Sequence, residues 1–166
     1  MTPKQPLTAE RAREVLDYDP ETGKITCRVT RGRSAKGRLI GTKKPNGYIS
    51  MVVDGRRYYA HRVAWLIVHG QWPTATVDHY NGVRDDNRLD NLREATQSLN
   101  LQNQRRPHSN NTSGYLGVTW YTPANAFRSR INIKGKDIHL GLFADPAAAH
   151  AAYLAAKRQL HPGSTI

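Results

Sequence analysis

The segment Thr76–Asn103, TVDHYNGVRDDNRLDNLREATQSLNLQN, concentrates the residue types that hydrolysis of a phosphodiester requires. Asp78 and His79 are adjacent at the end of a short β-prone run, Thr76 and Val77, and Asn81-Gly82 then turns the chain. A carboxylate is a hard-metal ligand, and an imidazole with an ordinary pKa of about 6.5 is a base that works at neutral pH. Leu92–Thr96 reads as the returning strand. Ser98–Arg105 reads as a short helix capped by Ser98, with Asn100 and Asn103 one turn apart on one face. Taken singly, each residue has a plainer reading. A lone histidine after a strand is more often a hydrogen-bonded structural residue, and Arg84–Asn91 has the turn formers of any solvated loop. The joint spacing within one segment favours the chemical reading. A calcium-binding EF-hand loop is excluded, because Tyr80 and Val83 stand where that loop needs an Asp or Asn and a Gly.

At these residues the sequence resembles the HNH endonuclease family. The resemblance is closer to the phage and intron-type homing endonucleases, which carry an Asp-His pair, a middle Asn and an Asn on the closing helix. It rests on Asp78-His79, Asn81-Gly82, Asp86-Asn87-Arg88, Asn91-Leu92 and Asn100. It implies a ββα-metal nuclease core in which Asp78 and Asn100 hold one divalent ion, Mg2+ or Mn2+. It further implies His79 as general base and Asn91 as a catalytic-site residue that braces the intervening loop. The last letter of the motif is Asn100 here and not a histidine. An amide oxygen still suits magnesium, but a neutral one leaves Asp78 as the sole charged protein ligand.

Composition bounds the partner. The formal net charge of +12 points to a polyanion, and nucleic acid is the partner expected. Residues 1–50 carry 11 Lys and Arg against 5 acids, residues 51–104 carry 6 of each, and residues 105–166 carry 8 against 2. Basic flanks around a neutral centre suit a nuclease whose arms grip double-stranded DNA while its middle keeps acids for a metal. No apolar run approaches membrane-spanning length, so no membrane partner is expected. Cys27 is the only cysteine, so no intrachain disulfide and no thiolate cage for structural zinc are expected. The N-terminal MTPKQPLTAER lacks the apolar core of a signal peptide, which predicts a cytoplasmic protein; the resemblance to phage-type nucleases implies that the cell is bacterial or phage-infected.

The elements that must position this chemistry are legible on both sides of it. Leu7–Tyr18 has a Thr8 cap and an apolar stripe of Ala12, Val15 and Leu16, stopped by Pro20, and predicts a first helix. The passage Leu16–Gly23 resembles an opening of bacterial and phage HNH proteins, and an extended run follows at Lys24–Thr30. Arg28–Lys44 is Gly-rich and basic, either a mobile arm over phosphates or an ordinary solvated loop. Gly47–His61 spells a β-hairpin about Asp54-Gly55, and Arg62–Val68, ended by Gly70 and Pro73, a buried helix. His61 at its start reads as a hydrogen-bonded structural histidine rather than a site residue.

Arg106–Thr112 is rich in turn formers and predicts a domain boundary. Beyond it, Gly114–Tyr121, Phe127–Lys134 and Asp137–Phe143 predict a three-stranded antiparallel meander, and Asp145-Pro146 starts a helix with a stripe of Ala149, Ala152, Tyr153, Ala156 and Leu160. In the second strand Phe127, Ser129, Ile131 and Ile133 alternate with Arg128, Arg130, Asn132 and Lys134, so packing of the first set turns the basic set outward. The pattern Tyr115–Val118, Leu140–Phe143, Ala148-Ala149 and Ala152-Tyr153 resembles the DNA-binding domain of the plant APETALA and ethylene-response factors, which also occurs fused to phage HNH nucleases. That resemblance implies DNA contact through the sheet. Leu116, Thr119, Tyr121 and Asn132 stand where the plant domain has groove-facing arginines, so its target does not transfer.

The expectation is an α+β protein. A helix and basic arm would occupy 1–46, a nuclease core 47–106, a linker 107–113 and a sheet-plus-helix DNA-binding domain 114–166. Arg128, Arg130, Asn132, Lys134, Lys136 and His139 are the DNA-contacting candidates. The function expected is metal-dependent DNA endonuclease, the alternative a non-catalytic DNA-binding regulator on a degenerate nuclease fold.

Overall fold

Thr8 opens the first helix by accepting a hydrogen bond from the Arg11 amide through its hydroxyl. In the computed structural model, which describes residues 6–30 and 35–161, that helix, α1, runs Ala9–Val15 and stops short of the expected Tyr18. Leu16–Tyr18 forms strand β1, paired antiparallel with β2, Ile25–Cys27. The tight connection between them decides the matter. Asp19 accepts from the Glu21 and Thr22 amides and Gly23 takes a φ of 70°, so the chain folds back at once. Burial of Leu16, Ile25 and Cys27 in the resulting hairpin outweighs the helical periodicity.

The described chain divides into two compact units, Met1–Ala95 and Thr96–Ile166. In the first, β3 (Thr42–Lys43), β4 (Ile49–Val53) and β5 (Arg56–Tyr59) make an antiparallel sheet in that order. The basic stretch Arg28–Lys44 thus ends in a paired strand. Its residues 31–34 lie outside the described residues, so the mobile-arm reading is left where the sequence put it. Asp54 and Gly55 both take positive φ, 47° and 77°, as a two-residue type I′ hairpin requires. Helix α2, Ala60–His69, ends on Gly70 at φ 75°, whose amide donates to the Leu66 carbonyl. Its Ala60, Val63, Ala64 and Leu66 meet Leu7, Ala12, Val15, Met51, Val53 and Val77 in one core. Against that core stand β6, Thr76–His79, and β7, Leu92–Ala95, antiparallel with Asp78 opposite Arg93 and His79 opposite Leu92.

The second unit begins at α3, Gln97–Gln102. Its cap is Thr96, which accepts from the Leu99 amide, and not the expected Ser98, because Thr96 still has the extended backbone a cap needs. Strands β8 (Val118–Tyr121), β9 (Ala126–Ile133) and β10 (Lys136–Phe143) form the expected meander, in sheet order β10-β9-β8. β8 starts later than the sequence suggested. The Asn111 amide donates to the carbonyls of Tyr115 and Val118, which curls this segment into a turn. Helix α4, Pro146–Leu160, is capped by Asp145 through a 2.7 Å bond to the Ala148 amide. It buries Ala149, Tyr153 and Lys157 with Val118, Ser129 and Ile131 of the sheet. The expected Leu160 is instead exposed, and Lys157 takes its place in the stripe by donating to the Gln104 carbonyl. Gly117 makes the close approach possible, since a Cβ there would lie 2.0 Å from the Tyr153 ring. The architecture is mixed α+β, with small antiparallel sheets and four α-helices among the described residues.

Candidate functional site

In the first unit the end of β6 carries Asp78 and His79, both buried. Cross-strand pairing sets Arg93 opposite Asp78, and its guanidinium reaches the Asp78 carboxylate at 3.0 Å while lying over the Tyr80 ring at 5.0 Å. The loop that follows is held by its own amides. Asn91, buried, accepts from the Asn81 amide at 2.8 Å and donates to the Asp86 carbonyl at 2.7 Å. Asn81 donates to the Asp86 carboxylate at 2.6 Å, and Arg88 grips the same carboxylate with two bonds of 2.9 Å. The β1–β2 hairpin closes on this loop from outside. Tyr18 donates to the Asn87 carbonyl, the Leu89 amide donates to the Pro20 carbonyl, and Gly23 comes so near that a Cβ would sit 2.5 Å from the backbone of Asn87 and Arg88.

These constraints aim Asn87 at His79. The Asn87 amide nitrogen donates to the Asp85 carbonyl, which turns its oxygen toward His79 Nε2 at 3.3 Å. With that oxygen accepting, the neutral ring carries its proton on Nε2 and its basic lone pair on Nδ1. Burial pushes His79 below the ordinary imidazole value, against opposing pulls from Asn87, Asp78 and Asp86. The ring is therefore held neutral, the state a base needs.

His61 was expected to be a hydrogen-bonded structural residue. It is instead packed edge-on against His79 at 5.1 Å, with Tyr48 at 5.2 Å and Tyr59 stacked at 5.6 Å, and its buried Nδ1 has no hydrogen-bond partner. Burial above all, with the nearby Arg62 guanidinium adding to it, pushes its pKa down to about 3. No local spacing marks this contact, because α2 and the rest of the core must fold before positions 61 and 79 meet. Arg93, opposite Asp78, was likewise missed. Its strand position was legible and its pairing register was not.

Asn100 stands on α3, in the second unit. Among the described residues no three of His, Cys, Asp and Glu gather as a metal cage. The sheet of the second unit turns Arg128, Arg130, Asn132 and His139 to one face: β9 pairs Arg130 with His139 and Asn132 with Asp137. Arg128 lies over the Tyr121 ring at 4.9 Å, while Lys134 and Lys136 are exposed at the β9–β10 turn. Arg130 and Asn132 both bond to the Asp137 carboxylate, at 2.8 Å each. No helix among the described residues is long and apolar enough to cross a membrane.

The chain is similar to two known proteins. Protein 3.8 of Escherichia phage T7 is 34% identical over 77 residues, which are 46% of this chain and 63% of that protein. The solved structure of DNA binding and cleavage by the HNH homing endonuclease I-HmuI is 26% identical, covers 54% of this chain and 51% of its own, and has a TM-score of 0.41. The chain thus spans less than two thirds of the phage relative and about half of the structural one. The family model described as HNH endonuclease matches residues 58–102, which take in α2, Asp78, His79, Asn91 and Asn100.

Proposed function

We propose that the protein is a metal-dependent DNA endonuclease that hydrolyses phosphodiester bonds. The observation that carries this reading is a buried, neutral His79 beside Asp78 at a strand end, within the stretch that matches the HNH endonuclease family. His79 takes a proton from the attacking water. Asn87 holds its ring by Nε2, and Asn91 keeps the loop that carries Asn87 from moving away. Asp78 and Asn100 would hold the divalent ion, magnesium or manganese. Their carboxylate and amide oxygens are hard donors, and so small a set fits an ion whose shell is completed by water and substrate phosphate. When bound, that ion neutralises charge on the phosphate and on the leaving 3′-oxygen. Structural zinc has no part in the proposal.

The basic second unit is the DNA-holding part, through Arg128, Arg130, Asn132, Lys134, Lys136 and His139 on and beside its sheet face. The surplus of basic residues after Gln104 supports this. A second reading, a DNA-binding regulator without cleavage, is favoured by one observation: the Asp78 carboxylate is already paired with Arg93. Plasmid cleavage separates the two. Nicking or linearisation is expected with magnesium or manganese and lost in a chelator. His79→Ala and Asp78→Ala each abolish it while affinity for DNA in chelator stays near that of the parent chain. Substantial cleavage by both variants would remove the site assignment, and no cleavage by the parent chain at any concentration of either metal selects the regulator.

A further inference from the structure

On the sheet face of the second unit, a chain of side-chain bonds starts from backbone and ends on an arginine. The β9–β10 turn places Lys134 at φ 51° and Gly135 at φ 83°, and the Gly135 amide donates to the Asn132 side-chain oxygen at 3.0 Å. The Asn132 amide nitrogen in turn donates to one oxygen of Asp137 at 2.8 Å. The other oxygen of Asp137 accepts from Arg130 Nη1, also at 2.8 Å. Asn132 and Asp137 are register partners, so the chain of bonds crosses from β9 to β10 and back. Beside it lies a shallow depression of about 340 Å³ lined by Tyr121, Arg128, Arg130, Asp137, His139 and Leu142.

Neither stability nor phosphate binding accounts for this arrangement. Asp137 and Arg130 are each about half exposed, at 50% and 45%, and an ion pair so open to water adds little to folding. A face built only to grip phosphates would not keep a carboxylate on its central arginine, since the acid repels the same phosphates that the arginine attracts. A fixed arginine has another use. A guanidinium offers five N–H donors in a planar fork, and the Asp137 bond uses one of them, leaving enough to meet guanine O6 and N7 in the major groove. Holding the fork still lowers the ordering cost of that contact and penalises a base that does not match. Asn132, with its oxygen on Gly135 and its nitrogen on Asp137, acts on the arginine and not on a base.

We propose that Asp137 is a specificity-determining residue: braced by Asn132, it fixes Arg130 to read a guanine, so that Arg130 is the reader and Asn132 and Asp137 position it. This rests on the reading of the sheet face as a DNA-binding surface.

The test uses the full chain in a chelator, which blocks the proposed cleavage. A preferred duplex is selected from a randomised pool, and its affinity is measured against a scrambled duplex and against duplexes in which each guanine is replaced in turn. Asp137→Asn keeps the shape and removes the charge, Asn132→Ala breaks the brace one step earlier, and Arg130→Ala removes the reader. Thermal melts establish that each variant is folded. The proposal expects Arg130→Ala to lose roughly 5-fold or more in discrimination and to become indifferent to one guanine. Asp137→Asn should lose discrimination at that same guanine while binding the scrambled duplex as tightly as the parent or tighter, because a negative charge has gone. A merely structural role would weaken both duplexes together. Asp137→Asn with full discrimination, where Arg130→Ala has lost it, overturns the proposal and leaves the DNA-binding face standing. A parent chain without sequence preference, or one whose affinity is unmoved by Arg130→Ala, overturns the reading of the face and the proposal with it.

Discussion

At the scale of single residues, the pH behaviour of the two buried histidines is the sharpest consequence of the geometry. His79 acts as a base only when neutral, and burial favours the neutral ring, so cleavage should rise with pH along a limb whose midpoint lies below about 6.5. A pH–rate profile of single-turnover cleavage measures it, and an acid limb centred at or above that value would mean that another group is the base. His61 makes a separate prediction about stability. Its folded pKa of about 3 lies below the unfolded value of about 6.5. Above about 6.5 it is neutral in both states and contributes no pH dependence. As pH falls through the window from about 6.5 to about 3, the unfolded chain takes up a proton that the folded chain refuses. Stability then drops by up to about 1.4 kcal/mol per pH unit. Denaturant melts of His61→Phe at pH 7 and pH 5 should differ by up to about 2 kcal/mol less than those of the parent chain. An unchanged difference would show that His61 is not buried as the structure has it. The sequence marked Asp78 and His79 as a candidate pair because they are neighbours in the chain. It hid His61 because only the packed core brings α2 to β6.

Elements whose instructions are local were legible, and those decided by their surroundings were not. Asp54-Gly55, Gly70 and Asp145-Pro146 each set a turn, a stop or a start by backbone preference alone, and the hairpin, α2 and α4 follow. Leu16–Tyr18 carried a helical stripe and became a strand, pairing with Ile25–Cys27 so that Leu16, Ile25 and Cys27 are buried. Lys157 sits where an apolar residue was expected, since a long side chain can bury its stem while its ammonium reaches a carbonyl. The packing of α4 on its sheet gives a direct test. Gly117→Ala introduces a methyl against the Tyr153 ring at a backbone angle of 77° that favours glycine. It should destabilise the second unit by at least roughly 1–3 kcal/mol, the usual cost of overpacking, with the positive φ adding to it. A melt of the isolated unit matching the parent within error would place the helix elsewhere.

For the molecule as a whole, charge is arranged in blocks and so should be its salt response. If Lys134 and Lys136 touch phosphates, replacing either with alanine should weaken binding to all duplexes alike and reduce the slope of log affinity against log salt by about one unit. An unchanged slope would take them off the interface. The division of the chain falls at Ala95–Thr96, ahead of the turn-rich segment in which the sequence suggested a boundary. Residues 104–115 carry turn formers, yet Gln104 is tied to Lys157 and Asn111 to Tyr115 and Val118. A protein ending at Ala95 should therefore melt cooperatively and fail to cut, since it lacks Asn100, and a fragment that still cuts would strike Asn100 from the site. Tolerance to mutation will be uneven in the same molecule-wide sense. Gly23 has no functional group and lies far along the chain from Asp78 and His79, yet any side chain there drives the backbone of Asn87 away from His79. In a survey of every substitution at every position, scored by cleavage, position 23 should rank with the chemical residues, and a family profile built from such survivors would record a glycine whose meaning is the placement of someone else's proton.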